Sequence, residues 1–394
     1  MRTILAVTLM NLRSIGGRLG SSLVIVVGIA FVVAVLLGML SMSKGFERTL
    51  KGTGTDSRAM IMSAQVLSEL SSVIGRDTIP LLREQPGIRR DAEGRPMTSA
   101  EVMVITELKK GEGKQRASVN VALRGVEPMG MAMRPEVRLV EGRLFRSGLN
   151  EVIVGRQAQQ QFQGTQVGGK LAFRGSEWTV VGVFESAGDA HESEMWTDAD
   201  TARNAFGRGG AASSMLAQLD APDALQKLKD AITSDPRFQL DVQSERAYFA
   251  AQSQGVIGNL TIVTNVVAAI MAVGALFGAL NTMYSAVSTR QVEIATLRAI
   301  GFSGAPVVFS VLAESLALAL TGGLAGAVLA WFAFNGMTVS TLGQNFTQVA
   351  FSFAVTPDLV ERGLAWALAI GLIGGLFPAI RAARLPIVDA LRAQ

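Results

Sequence analysis

Four groups of residues in this 394-residue chain have types and spacings suited to chemistry. Gly164-Thr-Gln-Val-Gly-Gly169-Lys170 has the spacing of a phosphate-binding loop, but Leu171 follows where Ser or Thr would hold Mg²⁺. The segment also leads into a strand pattern rather than a helix, so a β-turn explains it. Asp189, His191, Glu192 and Glu194 offer carboxylates and an imidazole to a divalent cation. One histidine among acids is a weak metal signal, and the stretch reads as a solvated acidic loop. Glu314 is the only acid deep inside an apolar run, a costly placement in a membrane. At about 1.5 Å per residue it lies roughly 15 Å into its helix, near the midplane. It reads as a structural or gating group hydrogen-bonded to Asn265 or Asn281, with a proton or substrate role as the rival. Finally, Ser288–Gly301 places Ile294, Leu297 and Ile300 on one helical stripe, with Arg290, Glu293 and Arg298 turned to water or a partner. Gly301 is a natural terminator.

These groups must be positioned by a chain that is 49% hydrophobic and 17% charged, with no cysteine and one histidine. A soluble domain carries roughly 25% charged residues. A disulfide framework, a Cys-ligated metal and a thiol nucleophile are excluded, and a single His191 argues against a Ser-His-Asp enzyme. From Lys44 to Arg246 there are 27 basic and 27 acidic residues, so the net charge of +4 comes entirely from outside that segment. No basic stripe is left to neutralise phosphates, so nucleic acid is not an expected partner.

Four membrane spans follow from the uncharged runs, each near the roughly 20 residues a crossing helix needs. The first is 19–43, too long for a signal-peptide core. The second lies in 251–287, within a 43-residue run (247–289) without charge. As one helix that run is roughly 64 Å long, about twice the hydrocarbon core, so its polar start (Gln252, Ser253, Gln254, Asn259) is expected to stand in water as a stalk. The third is 304–334, and the fourth 362–380. Arginines in the segment 1–18, in 288–302 and in the tail 381–394 place both termini in the cytoplasm. The domain 44–250 and the loop 335–361 then lie on the opposite, extracytoplasmic side. Gly274/Gly278, Gly322/Gly326 and Gly371/Gly375 each fit the close-approach spacing of membrane helix pairs, either within one chain or between two copies.

In 44–250, the segments 101–107, 118–124, 151–154, 171–173 and 178–184 read as strands, and 156–162, 198–206 and 222–233 as helices. The fold class is therefore four membrane helices with a large α+β domain, of two subdomains, inserted between the first and second.

Thr289-Arg-Gln-Val-Glu-Ile-Ala-Thr-Leu-Arg-Ala-Ile-Gly301 resembles the signature of the MacB/FtsX-type ABC transporter permeases, as does Pro378-Ala-Ile-Arg-Ala-Ala-Arg-Leu-Pro-Ile-Val-Asp-Ala-Leu-Arg392. The opening Leu5–Arg13 is similar to that family's cytoplasmic helix. Gly125-Val126, Glu141-Gly-Arg143, Glu151–Gly155 and Val180–Val183 resemble its periplasmic core domain. The resemblance covers nearly the whole chain. It implies a dimer, homo- or heteromeric, served by two copies of a cytoplasmic ABC ATPase that binds ATP and Mg. This chain itself would then bind no cofactor and catalyse nothing. It also implies mechanotransmission, with 290–300 as the coupling helix. The family's best-known exporter carries its ATPase fused at the N-terminus. This chain begins almost at the membrane, so a separate ATPase is expected, as in the lipoprotein-releasing and DevC-like members. Export through a periplasmic adaptor and an outer-membrane channel is the leading expectation. Extraction of lipoproteins or lipids from the membrane, and regulation of cell-wall hydrolases, are the alternatives.

Overall fold

The computed structural model describes residues 19–110, 117–343, 347–384 and 386. The expected N-terminal cytoplasmic helix (1–18) and most of the tail (381–394) lie outside the described residues. The chain forms two compact units: Gly45–Gly258 with Thr338–Ser352, and Met1–Lys44 with Asn259–Met337 and Phe353–Gln394.

The elements follow in chain order. A long helix α1 (Leu19–Gly52) leads to β1 (Arg58–Ser63), α2 (Thr78–Arg83), β2 (Thr98–Lys110), β3 (Ala117–Val126), α3 (Pro128–Ala132), β4 (Arg138–Gly142) and β5 (Glu151–Gly155). Then come α4 (Arg156–Gln161), β6 (Lys170–Phe173), β7 (Ser176–Glu185), β8 (Met195–Asp198), α5 (Ala199–Ala205), β9 (Ser214–Gln218), α6 (Ala224–Ser234) and β10 (Leu240–Ser244). The remainder is α7 (Glu245–Ser288), α8 (Gln291–Ala299), α9 (Gly304–Phe334), the strands β11 (Thr338–Leu342) and β12 (Gln348–Ser352), and α10 (Pro357–Arg384).

The sheet-bearing unit is built on a ten-stranded sheet ordered β10-β1-β9-β2-β3-β8-β5-β7-β4, with β6 paired to β7. Its two lobes share β2. Thr98–Glu101 pairs with β9, while Val102–Lys110 pairs with β3. The first lobe packs Ile61, Met215, Leu228 and Ile232 into one core, so α6 turns its apolar stripe onto the sheet. The second packs Val104, Val121, Val154, Trp178 and Phe162. Trp196, Phe184 and Ile153 form a separate cluster on the second lobe. Strands β3, β5 and β7 form where their β-branched residues lead one to expect, with β5 buried along its whole length. The Gly164–Lys170 segment is a turn, with Gly164 and Gly168 at positive φ, and Lys170 pairs with Glu177 at 2.6 Å.

Helix α1 runs on to Gly52, in keeping with the helical placement of Phe46 and Leu50 in the sequence, and the sheet-bearing unit begins at Gly45. The correction lies at the other connection. The expected loop 335–361 contains the antiparallel hairpin β11–β12, whose Val339 and Val349–Phe351 supply β-forming residues. The hairpin belongs to the sheet-bearing unit: Phe351 meets Phe46 edge-on at 5.4 Å, and Ala350 N–H donates to Ser193 Oγ at 2.9 Å.

In the helical unit, α1, α7, α9 and α10 are each long and apolar enough to cross a membrane. They are not equally covered. In the most apolar stretch of α7, 11% is buried, against 44% in α1 and in α10.

Candidate functional site

The segment joining α7 to α9 is where the sequence placed its most informative motif. Arg290 stands between α7 and α8, and its carbonyl accepts the Ile294 N–H at 2.9 Å. Its side chain does not cap α8. Instead Nη1 donates to Glu314 Oε2 of α9 at 3.0 Å, with both residues about 5% exposed. Ile294 enters the helical core, which also takes in Val287 at the end of α7 and Val307 and Val311 of α9. Ala295 is also buried, while Glu293 is exposed and Arg298 half-buried. Gly301 ends the segment at φ +101, its N–H bonded to the Arg298 carbonyl. The side chain of Leu297 lies outside the described residues.

Several expectations change here. Arg290 does not face water, because it is paired with Glu314 in the packed interior. Glu314 pairs with Arg290, and Asn265 and Asn281 are exposed. Glu314 is thereby tied to the end of α7, and the first turns of α9 pack beside α8 through Val307 and Val311. Ile300, expected on the buried stripe, is 68% exposed because α8 stops at Ala299 and the helical period no longer applies.

The glycine pairs separate into two kinds. A side chain at Gly322 would come within 2.8 Å of the Val26 carbonyl of α1, and Gly326 sits as tightly against Ala30. Gly371 abuts Ala319, and a Cβ on Gly375 would lie 2.6 Å from Ser315. Ser315 Oγ also donates to the Gly371 carbonyl at 2.6 Å. Helices α1, α9 and α10 are thus joined by close backbone approach within one chain. Gly274 and Gly278 of α7 have nothing within 4 Å, nor does Gly28 of α1. With Val24, Phe31 and Met271 they line an apolar groove of about 320 Å³.

The sheet-bearing unit holds a buried ionic hub that the sequence did not reveal. Arg124 of β3 is fully buried and bonds Glu69, Glu101 and Glu194, at 2.8–3.0 Å. Arg134 makes a two-point contact with Glu101, at 2.6 and 2.9 Å. Arg58 bonds Glu136 and, at 2.7 Å, Glu245, the first residue of α7. Trp196 Nε1 donates to Glu194 at 2.7 Å, and the Glu69 N–H donates to the Tyr248 hydroxyl of α7 at 3.2 Å. His191 lies edge-on to Trp196 and Phe249, with Nδ1 3.4 Å from Glu194.

The supposed solvated loop is therefore interior: Asp189, His191, Glu192 and Glu194 are all buried. Arg124 covers Glu194 from a distant strand, while Asp189 and Glu192 accept from Ser186, Gly188 and His191 of their own loop. Burial pushes Asp189 up to about 6, only partly offset by His191. Burial pulls His191 down, but Asp189 and Glu194 outweigh it and leave the imidazole raised. Glu194 is penalised by burial yet held well below the carboxylate range by Arg124 and His191. Among the described residues no three His, Asp or Glu side chains converge as metal ligands. Chemically the hub can lock the first turn of α7 to both lobes of the sheet.

Comparison with known proteins bears on this arrangement. Residues 22–235 match the MacB-like periplasmic core domain, and residues 265–387 the FtsX-like permease C-terminal region. The ABC transporter permease YvrN of Bacillus subtilis (strain 168), itself uncharacterized, is 24% identical over 353 residues, covering 88% of this chain and 78% of YvrN. The macrolide export ATP-binding/permease protein MacB of Bdellovibrio bacteriovorus is 25% identical over 397 residues, covering 93% of this chain and 58% of that protein. The crystal structure of the periplasmic region of MacB from Actinobacillus actinomycetemcomitans aligns over 50% of this chain and 92% of that one, with 14% identity and a TM-score of 0.38. With a core-domain match over more than half its length and the permease match behind it, this multi-pass membrane chain belongs to the MacB/FtsX-type ABC transporter permeases.

Proposed function

We propose that this permease couples ATP hydrolysis in a partner ABC ATPase to movement of its large domain, driving export from the extracytoplasmic side. The observation that carries the reading is α8. It is a short helix between two spans, anchored by Ile294 and Ala295, that leaves Glu293, Val292 and Ile300 exposed for a partner. The charge pattern of the short loops puts that face in the cytoplasm of the inner membrane, with both termini. Two copies of the ATPase would dock there and bind the ATP and Mg.

Mechanotransmission is supported by α7, a single helix from Glu245 to Ser288 whose first residues are bonded into the ionic hub. A displacement of α8 would travel along it without substrate crossing the membrane. The occupant we assign to the α1–α7 groove is the α7 helix of a second copy. Its glycines are open, its walls apolar, and α7 is the least covered span. A homodimer follows. An adaptor and an outer-membrane channel would complete an export route.

Purification of the tagged chain in mild detergent, with mass spectrometry of what accompanies it, tests this reading. An ATPase with a periplasmic adaptor is expected. An ATPase with lipoproteins or a cell-wall hydrolase and no adaptor would replace export by extraction or regulation. Absence of any ATPase would remove the coupling proposal.

A further inference from the structure

The geometry points to Arg290 and Glu314 as positioning residues that latch α8 to the bundle of α1, α9 and α10. In this arrangement, movement of α8 reaches α9 as well as α7; the inference rests on α8 being the coupling helix. Three observations carry it. First, the chain links α8 to α9 only through the turn 300–303 and to α7 only through 289–290. Turns of this kind allow α8 to rock unless something ties it sideways. Second, beside the apolar packing of Ile294 and Ala295, the Arg290–Glu314 contact is the polar tie that fixes direction. It is buried and 3.0 Å long, and it sits at the corner where α7 ends and α8 begins. Third, the element it reaches is itself fixed. Helix α9 is held to α1 at Gly322 and Gly326, and to α10 at Gly371, Gly375 and the Ser315 hydroxyl.

A buried ion pair is a poor stabiliser compared with well-packed apolar groups, because desolvation cancels most of its Coulomb gain. Its strength lies in orientation. A guanidinium and a carboxylate accept few relative geometries, and an unpaired charge here is costly, so the contact is either made or broken. The latch divides the helical unit into a frame of α1, α9 and α10 and one loosely covered helix, α7. A push on α8 that keeps the pair intact moves α7 relative to the frame in a defined direction. Once the pair is broken, the same push is absorbed by rocking of α8.

The absence of cysteine from the chain supplies the test. Ala295 is 2% exposed on the inner face of α8, so a single Cys at this position reports on how firmly the helix is held. Maleimide labelling of the full-length chain is measured in mild detergent without any partner. On the Ala295→Cys background, Glu314→Gln and Arg290→Gln are each expected to label about tenfold faster, and the swap Arg290→Glu/Glu314→Arg to return towards the parent rate. Unchanged labelling in Glu314→Gln, or a swap no slower than either single variant, would overturn the latch. Should Glu314→Gln fail to accumulate, the swap is read alone: accumulation with slow labelling supports the latch, and loss of the chain overturns it. In the complex, Glu314→Gln should retain its ATPase in parental amounts while losing stimulation of hydrolysis, a split that a folding defect would not produce. Labelling needs no ATPase, so failure of the coupling reading and failure of the latch give different results.

Discussion

The two units bury charge in opposite ways. In the sheet-bearing unit, Arg58, Arg124 and Arg134 are each bonded to carboxylates from several segments, and most of these groups have more than one partner. The helical unit relies on glycine and serine contacts, with the Arg290–Glu314 pair as its buried ionic contact among the described residues. Redundancy makes the hub rigid, because no single bond can open without stranding several charges. In the helical unit the contact joins one arginine to one carboxylate of the neighbouring helix, and it can be made or broken. The difference suggests a division of labour, in which a stiff root for α7 lies at one end and a releasable contact at the other.

The harshest way to break the comparison is Arg124→Met. It leaves Glu69, Glu101 and Glu194 facing one another without their shared cation, and costs on the order of 3–5 kcal/mol. Thermal unfolding of the purified chain, followed by tryptophan fluorescence, should show the sheet-bearing unit unfolded or melting far below the parent. A melting point near that of the parent would show that the hub is not what holds the two lobes together.

Leucine scanning of the glycines sharpens the other side. Gly322→Leu must push against the α1 backbone and should destabilise the helical unit by roughly 1–3 kcal/mol. Gly274→Leu faces open space, so the protomer should melt as the parent does while the dimer fraction falls in light scattering. Equal loss of stability in both variants would erase the distinction between framed and open helices.

The smallest effect concerns pH. His191 is raised, so its contribution is complete below its unfolded value of 6.5 and is lost as pH rises through the higher folded value. Asp189, raised to about 6, favours the protonated fold and gives up that stability as pH rises from its unfolded value of 3.8 to 6. Glu101 and Glu194 are lowered, and they cost stability only when acid protonates them, below about 4.5. Stability should therefore decline between pH 5 and 8, by at most about 1.4 kcal/mol per unit for one proton. His191→Gln should flatten the upper part of that decline in melts across the range, and an unchanged slope would remove His191 from it.

How far these features were legible depends on how local their causes are. Strands β3, β5 and β7 declare themselves through their β-branched residues. By contrast, β1 (Arg-Ala-Met-Ile-Met-Ser) and β9 (Ser-Met-Leu-Ala-Gln) carry no such signal and become strands because the sheet accepts them. The hub was hidden because Arg124 finds Glu69 and Glu194 at separations of 55 and 70 residues. Around Asp189 the local partners Ser186, Gly188 and His191 are adjacent in sequence, but the burial of the whole loop depends on Arg124 and Phe249, which are not. The glycine spacings identified faces but not which helix each would meet. The Arg290–Glu314 pair was readable in principle. One is a charge at the end of an apolar run and the other a charge inside the next, 24 residues apart across one short helix, and charges at membrane helices pair with one another.

The central claim is that α8 is the surface through which an ATPase moves this permease. The most direct measurement is ATP hydrolysis by the co-purified complex carrying Glu293→Lys or Arg298→Glu. Both variants should insert and keep the parental melting profile while stimulation of the ATPase by the permease is lost. Full stimulation in both variants would contradict the assignment of α8 as the coupling helix.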